Sequence, residues 1–177
     1  MSRLLIALFV LAFGFALTGC ESPDDEDTSA AATDAAKAPL PPLVAPTSSA
    51  DKEWVPYLQQ VVSRNMVGVT DRVSPYYLPA NSMEPTPEDL ESRSKYDRQL
   101  ENVNTVVSRT VLPGNMLAFG SPDSTKMADL VVAAFAGGRP DAMKGSQVLF
   151  IGKAEDNSRV QAAVEAVGAK YIFVEAK

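Results

Sequence analysis

Residues 116–138, MLAFGSPDSTKMADLVVAAFAGG, and 147–175, QVLFIGKAEDNSRVQAAVEAVGAKYIFVE, decide the fold of this chain. Met116-Leu117-Ala118-Phe119 is a short apolar run that reads as a strand. After Ser121-Pro122-Asp123, residues Met127, Leu130, Val131, Ala134 and Phe135 fall on one helical face, and Gly137-Gly138 ends the helix. Gln147 to Ile151 is the next strand. Asp156 or Asn157 opens a further helix with Val160, Ala163, Val164 and Val167 turned inward, Gly168 stops it, and Lys170 to Glu175 is a final strand. Two successive β–α–β units need parallel strands and right-handed crossovers. The expected body is therefore α/β, a small three-layer domain whose C-terminal half is βαβαβ.

Upstream of this half, Trp54, Tyr57, Leu58, Val61 and Val62 recur at helical spacing after Ser49 or Asp51, which predicts a helix over about 52–65 with Pro56 in its first turn. Residues 66–85 hold three prolines and mixed polarity, and read as a short strand followed by a long loop. Thr86-Pro87-Glu88-Asp89 has the cap, the first-turn proline and the acids of a helix start. The stripe of that second helix is Leu90, Tyr96, Leu100, Val103 and Val107, and it should end before Pro113-Gly114. The two additional N-terminal helices are expected to pack beside the C-terminal half.

Further out, the composition changes. Between Glu21 and Lys52 seven acidic residues oppose only Lys37 and Lys52, Ala/Thr/Ser fill 28–36, and Pro39, Pro41, Pro42 and Pro46 follow. Such a segment buries too little apolar surface to offset its ordering entropy. Residues 20–52 are expected to be a disordered tether with a span of about 30 Å as a random coil, leaving 53–177 as one globular domain.

The first nineteen residues carry Arg3 as their only charge, then an apolar run from Leu4 to Leu17, then Thr18-Gly19 before Cys20. A helix of that run is roughly 21 Å long, short of a hydrocarbon core of roughly 30 Å, so 1–19 reads as an export signal. Leu17-Thr18-Gly19-Cys20 closely resembles the lipobox of bacterial lipoproteins. The resemblance implies cleavage before Cys20, lipidation of its thiol and stable membrane anchoring. Glu21 rather than Asp as the second mature residue leans, by the same resemblance, towards the outer membrane of a Gram-negative envelope, facing the periplasm. The layout of lipobox, acidic linker and small α/β body resembles some type VI secretion immunity lipoproteins, which bind and block a toxin delivered to the periplasm.

The chain has no histidine, one cysteine and a net charge of −6. These values argue against His-dependent catalysis, thiolate zinc sites, an internal disulfide and nucleic acid as a partner, and neither cofactor nor metal is expected. Glu88-Asp89 and Glu155-Asp156 point in different directions on a helix and are read as partners of helix N-termini, not as acid/base pairs. The turns after the first two strands of the C-terminal half carry Ser121, Ser124 and Lys153, candidate anion ligands at helix N-termini, although no phosphate-loop fingerprint surrounds them. The stretch 73–83 concentrates Tyr76, Tyr77, Leu78 and Met83 in a proline-stiffened loop, a composition enriched at interfaces. A non-catalytic protein-binding module is expected, with a small-ligand or anion-binding protein and an envelope-assembly protein as the alternatives.

Overall fold

Four short runs rich in Val, Ile, Phe, Leu and Tyr form one sheet in the computed structural model, which describes residues 41–177. The expected signal 1–19, Cys20 and the tether as far as residue 40 lie outside the described residues. The elements are α1 (Asp51–Arg64), β1 (Val73–Tyr77), α2 (Lys95–Ser108), β2 (Met116–Gly120), α3 (Ser124–Phe135), β3 (Gln147–Gly152), α4 (Ala154–Ala166) and β4 (Lys170–Glu175). All strand pairs are parallel, and their order is β1-β2-β3-β4. The α/β class and the βαβαβ half are as the apolar pattern predicts. Among the described residues no helix is long and apolar enough to cross a membrane.

Every residue of β2 and β3 is buried, which is why both read as unbroken apolar runs. Their side chains alternate between two cores. Leu117, Phe119, Val148 and Phe150 meet Val103 and Val107 of α2, Met127, Leu130 and Val131 of α3, and Val160 and Val164 of α4. Met116, Ala118, Leu149 and Ile151 meet Trp54, Tyr57, Leu58, Val61 and Val62 of α1. The three layers are thus one helix, the sheet, and three helices. A single helix covers one face of four strands incompletely, and Leu43 and Ala45 pack beside it with Ile172, Val174 and Ala176. The compact body accordingly includes Pro41–Lys177, upstream of the boundary expected at 52–53.

Three element boundaries differ from expectation, the smallest being α4, which starts at Ala154 after Lys153 and not at Asp156 or Asn157, so that both acids Glu155 and Asp156 lie inside its first turn. The strand in 66–85 is Val73–Tyr77, so Tyr76 and Tyr77 belong to it and not to a loop, and Pro75 lies inside it. Proline is tolerated because β1 is an edge strand: Met116 N–H donates to Arg72 O and Leu78 N–H to Gly120 O, so the even-numbered residues face β2 and Pro75 faces outward, where no ladder donor is needed. The second helix starts at Lys95 and not at Thr86. Ser94 caps it, accepting from Asp97 N–H at 3.0 Å while the Asp97 carboxylate accepts from Ser94 N–H, a complete capping box. In α1, Pro56 sits in the second turn, leaving the Lys52 carbonyl without its intrahelical donor at an exposed position.

Candidate functional site

The residues proposed from sequence as a partner-binding loop separate in the structure. Tyr76 stacks on Phe119, ring centroids 5.0 Å apart, and burial pushes its hydroxyl above the ordinary tyrosine value. Tyr77 turns to the opposite face and donates to Asp51 Oδ1 at 2.8 Å. Burial first, and then the Asp51 carboxylate, raise its pKa as well. Leu78 is fully buried. Tyr76 and Leu78 therefore belong to the core, and Met83 alone of the four is exposed, at 51%.

Beyond Leu78 a long connection runs from Pro79 to Arg93 before α2, a length at which irregular loops are usually functional or disordered. This one is tied down. Ser82 N–H donates to Pro79 O, Tyr96 N–H to Ser82 O and Thr86 N–H to Arg93 O, and an isolated antiparallel bridge joins Pro85 to Ser94. Arg98 Nη2 donates to Thr86 Oγ1 at 3.2 Å. At its centre, the shielded Asp89 Oδ1 accepts from Glu91 N–H at 2.9 Å and from Arg93 N–H at 3.4 Å, and the Arg93 guanidinium closes on the same carboxylate. An aspartate bonding the backbone two residues on is an Asx turn, and the loop reverses at Ser92, whose φ is 53°. The turn presents Leu90 completely to solvent.

Burial alone would raise the Asp89 carboxyl, but the Glu91 and Arg93 N–H groups and the Arg93 guanidinium outweigh it and hold it below the ordinary carboxylate value. A depressed carboxyl contributes order that is present above its unfolded value and lost as pH falls through its folded one. Amide exchange at Glu91 and Arg93 should thus show protection that is constant from pH 7 to about 5 and disappears only below about pH 4. Asp89→Ala should abolish it at neutral pH. Equal protection in the variant would mean that the backbone bonds alone hold the turn.

The strand-end turns are engaged internally. Ser121 is buried, and its hydroxyl accepts from Asp123 N–H at 3.0 Å. Asp123 caps α3 by accepting from Lys126 N–H at 3.1 Å. Ser124 Oγ donates to buried Asp156 Oδ2 at 2.6 Å and accepts from Lys153 N–H at 2.8 Å. Asp156 in turn accepts from Arg159 Nε and Nη2, and Arg159 also pairs with Asp129 and the Thr125 carbonyl. Ser124 and Lys153 do share a shallow groove of about 380 Å³ with Ser49, Ala80, Pro122, Asp123 and Thr125. The Asp123 carboxylate on that groove opposes an anion, and Lys153 reaches out to Glu155 at 3.9 Å. Among the described residues the sheet also lacks a reversal of strand order, the feature that opens a ligand crevice at the carboxyl ends of parallel strands.

Comparison of the chain with protein-family models, curated proteins and solved structures found no match. Sequence reasoning missed Asp89 and Leu90 by placing both on a helix. Thr86-Pro87-Glu88-Asp89 satisfies the rules for a helix start as well as those for an aspartate that bonds its own backbone, so no local signal in the chain separates the two.

Proposed function

We propose that this chain is an envelope lipoprotein, held to the membrane through lipid on Cys20, whose body is a non-catalytic module that binds a periplasmic protein, with an inhibitor of the immunity type as the class its layout fits. The observation that carries the binding role is the Pro79–Arg93 loop, which shows Leu90 wholly to solvent on a backbone fixed by Asp89. A loop already ordered loses little entropy on docking, so a single aliphatic anchor on it converts buried area into affinity efficiently. Met83, on the same loop, adds a second adaptable apolar contact. The contact residues of this reading are therefore Leu90 and Met83, replacing Tyr76, Tyr77 and Leu78.

Site-specific photocrosslinking in cells tests both halves. A photoreactive residue at Leu90 should give one adduct of defined mass, and one at exposed Glu155, beside the strand-end turns, should give none. The reverse outcome would transfer the role to the Ser124–Lys153 groove and a small ligand. Cys20→Ser should release the chain from the membrane fraction; continued retention with unchanged mobility would overturn the anchor without bearing on the loop.

A further inference from the structure

The sheet has two edges, and they are not alike. On β1 the outward-facing positions are Val73, Pro75 and Tyr77, and the proline removes one of the donors that a visiting strand would need. Among the described residues, the β4 edge has no such proline. Lys170 N–H donates to Ser146 O and Ala176 N–H to Gly152 O, so the even-numbered residues of β4 turn their backbone towards β3 and Tyr171, Phe173 and Glu175 turn theirs outward. Among the described residues, the next outward carbonyl, that of Lys177, accepts from Ala45 N–H at 2.9 Å, whereas no hydrogen bond from a loop or side chain reaches the backbone of Tyr171, Phe173 or Glu175. Tyr171, Ile172, Phe173 and Val174 are each only half-buried. An apolar strand with an open ladder is a template for another strand.

We infer that β4 pairs antiparallel with β4 of a second copy of this chain, about a two-fold axis at Phe173, to make one continuous eight-stranded sheet across two bodies. The register follows from which groups are free. Only an axis at Phe173 maps the three open positions onto themselves, with Phe173 opposite Phe173 and Tyr171 opposite Glu175, each pair exchanging both N–H···O bonds. The side chains agree with it on both faces. Phe173 meets its symmetry mate on the side of α2–α4, and Ile172 meets Val174 on the side of α1, so each face gains apolar cross-strand pairs. Antiparallel order sets Lys170 opposite Ala176 and Tyr171 opposite Glu175, so no like charges stand directly opposed, while an in-register parallel pairing would stack like on like. The bond from Ala45 to Lys177 confines the pairing to these central positions. This interface is separate from the Pro79–Arg93 loop, and neither depends on the other.

The test uses the full-length chain in detergent with Cys20→Ser, so that Phe173→Cys is the sole thiol. Opposed residues in a hydrogen-bonded antiparallel pair stand about 5.5 Å apart at Cα, within reach of a disulfide. Copper phenanthroline should therefore convert Phe173→Cys almost wholly to a disulfide-linked dimer and leave a Leu112→Cys control monomeric. Sedimentation of the chain with its β4 sequence intact supplies the second measurement, because Phe173→Cys removes a ring from the core. That chain should be dimeric, and Glu175→Pro, which deletes an outward N–H at an exposed position without touching the β3 ladder, should weaken the dimer about tenfold or more. A chain that is monomeric throughout, or a dimer indifferent to Glu175→Pro, overturns the proposal.

Discussion

Phe119→Ala is expected to lower the folding free energy by about 4 kcal/mol, the middle of the range for truncating a core aromatic. Phe119 is fully buried at the middle of the sheet. Its ring stacks against Tyr76 from β1 at 5.0 Å and meets Phe135 from the last turn of α3 edge-on at 6.1 Å. Both neighbours are fixed by their own backbones, so the cavity left by the ring cannot collapse, and two aromatic contacts are lost in addition to the transferred area. Tyr76→Ala should cost roughly 2–3 kcal/mol, and the double variant should cost less than the sum of the two, because the stacked pair can be lost only once. Urea unfolding of the three variants decides it. Additive losses, or a loss below about 1 kcal/mol for Tyr76→Ala, would return Tyr76 to the surface role that its proline-rich setting implies.

The second large effect is expected at Asp156. Its carboxylate is almost wholly buried and binds Ser124 of α3 and Arg159 of α4, while Ser124 also accepts from the Lys153 N–H that follows β3. One carboxylate therefore joins the starts of two helices to the end of a strand. Asp156→Ala removes several charge-assisted bonds at once and leaves the Ser124 hydroxyl without an acceptor, a loss of about 3 kcal/mol, or roughly 10 °C in Tm for a domain of this size. Ser124→Ala should cost less, about 1 kcal/mol, since Arg159 still neutralises the carboxylate. If both variants melt within about 2 °C of the parent chain, the network contributes geometry without stability.

The parallel half was legible because β2 and β3 are buried on both faces, a state that forces uninterrupted apolar runs between glycines and caps. β1 was not, because whether Pro75 is tolerated depends on which side of the strand has a neighbour, and that is a property of the assembled sheet. The start of α2 was misplaced for a different reason. Thr86-Pro87-Glu88-Asp89 and Ser94-x-x-Asp97 both satisfy the rules for a helix cap, and the choice between them falls to the grip of Arg93 and the Glu91 amide on Asp89. Ser124 and Asp156 lie 32 residues apart, so their bond leaves no local trace in the chain.

The plain order of the strands has a kinetic consequence. Each strand lies beside its predecessor in sequence, so the sheet grows by addition at one edge and no strand has to be inserted between two others. The pairings across β1–α2–β2, β2–α3–β3 and β3–α4–β4 join residues 43, 31 and 23 positions apart, so each strand adds as soon as its own crossover helix is in place. The exception is α1. It comes before all four strands, yet it rests on Met116, Ala118, Leu149 and Ile151, up to a hundred residues downstream. The first helix of the body therefore cannot complete its docking until β3 is in place.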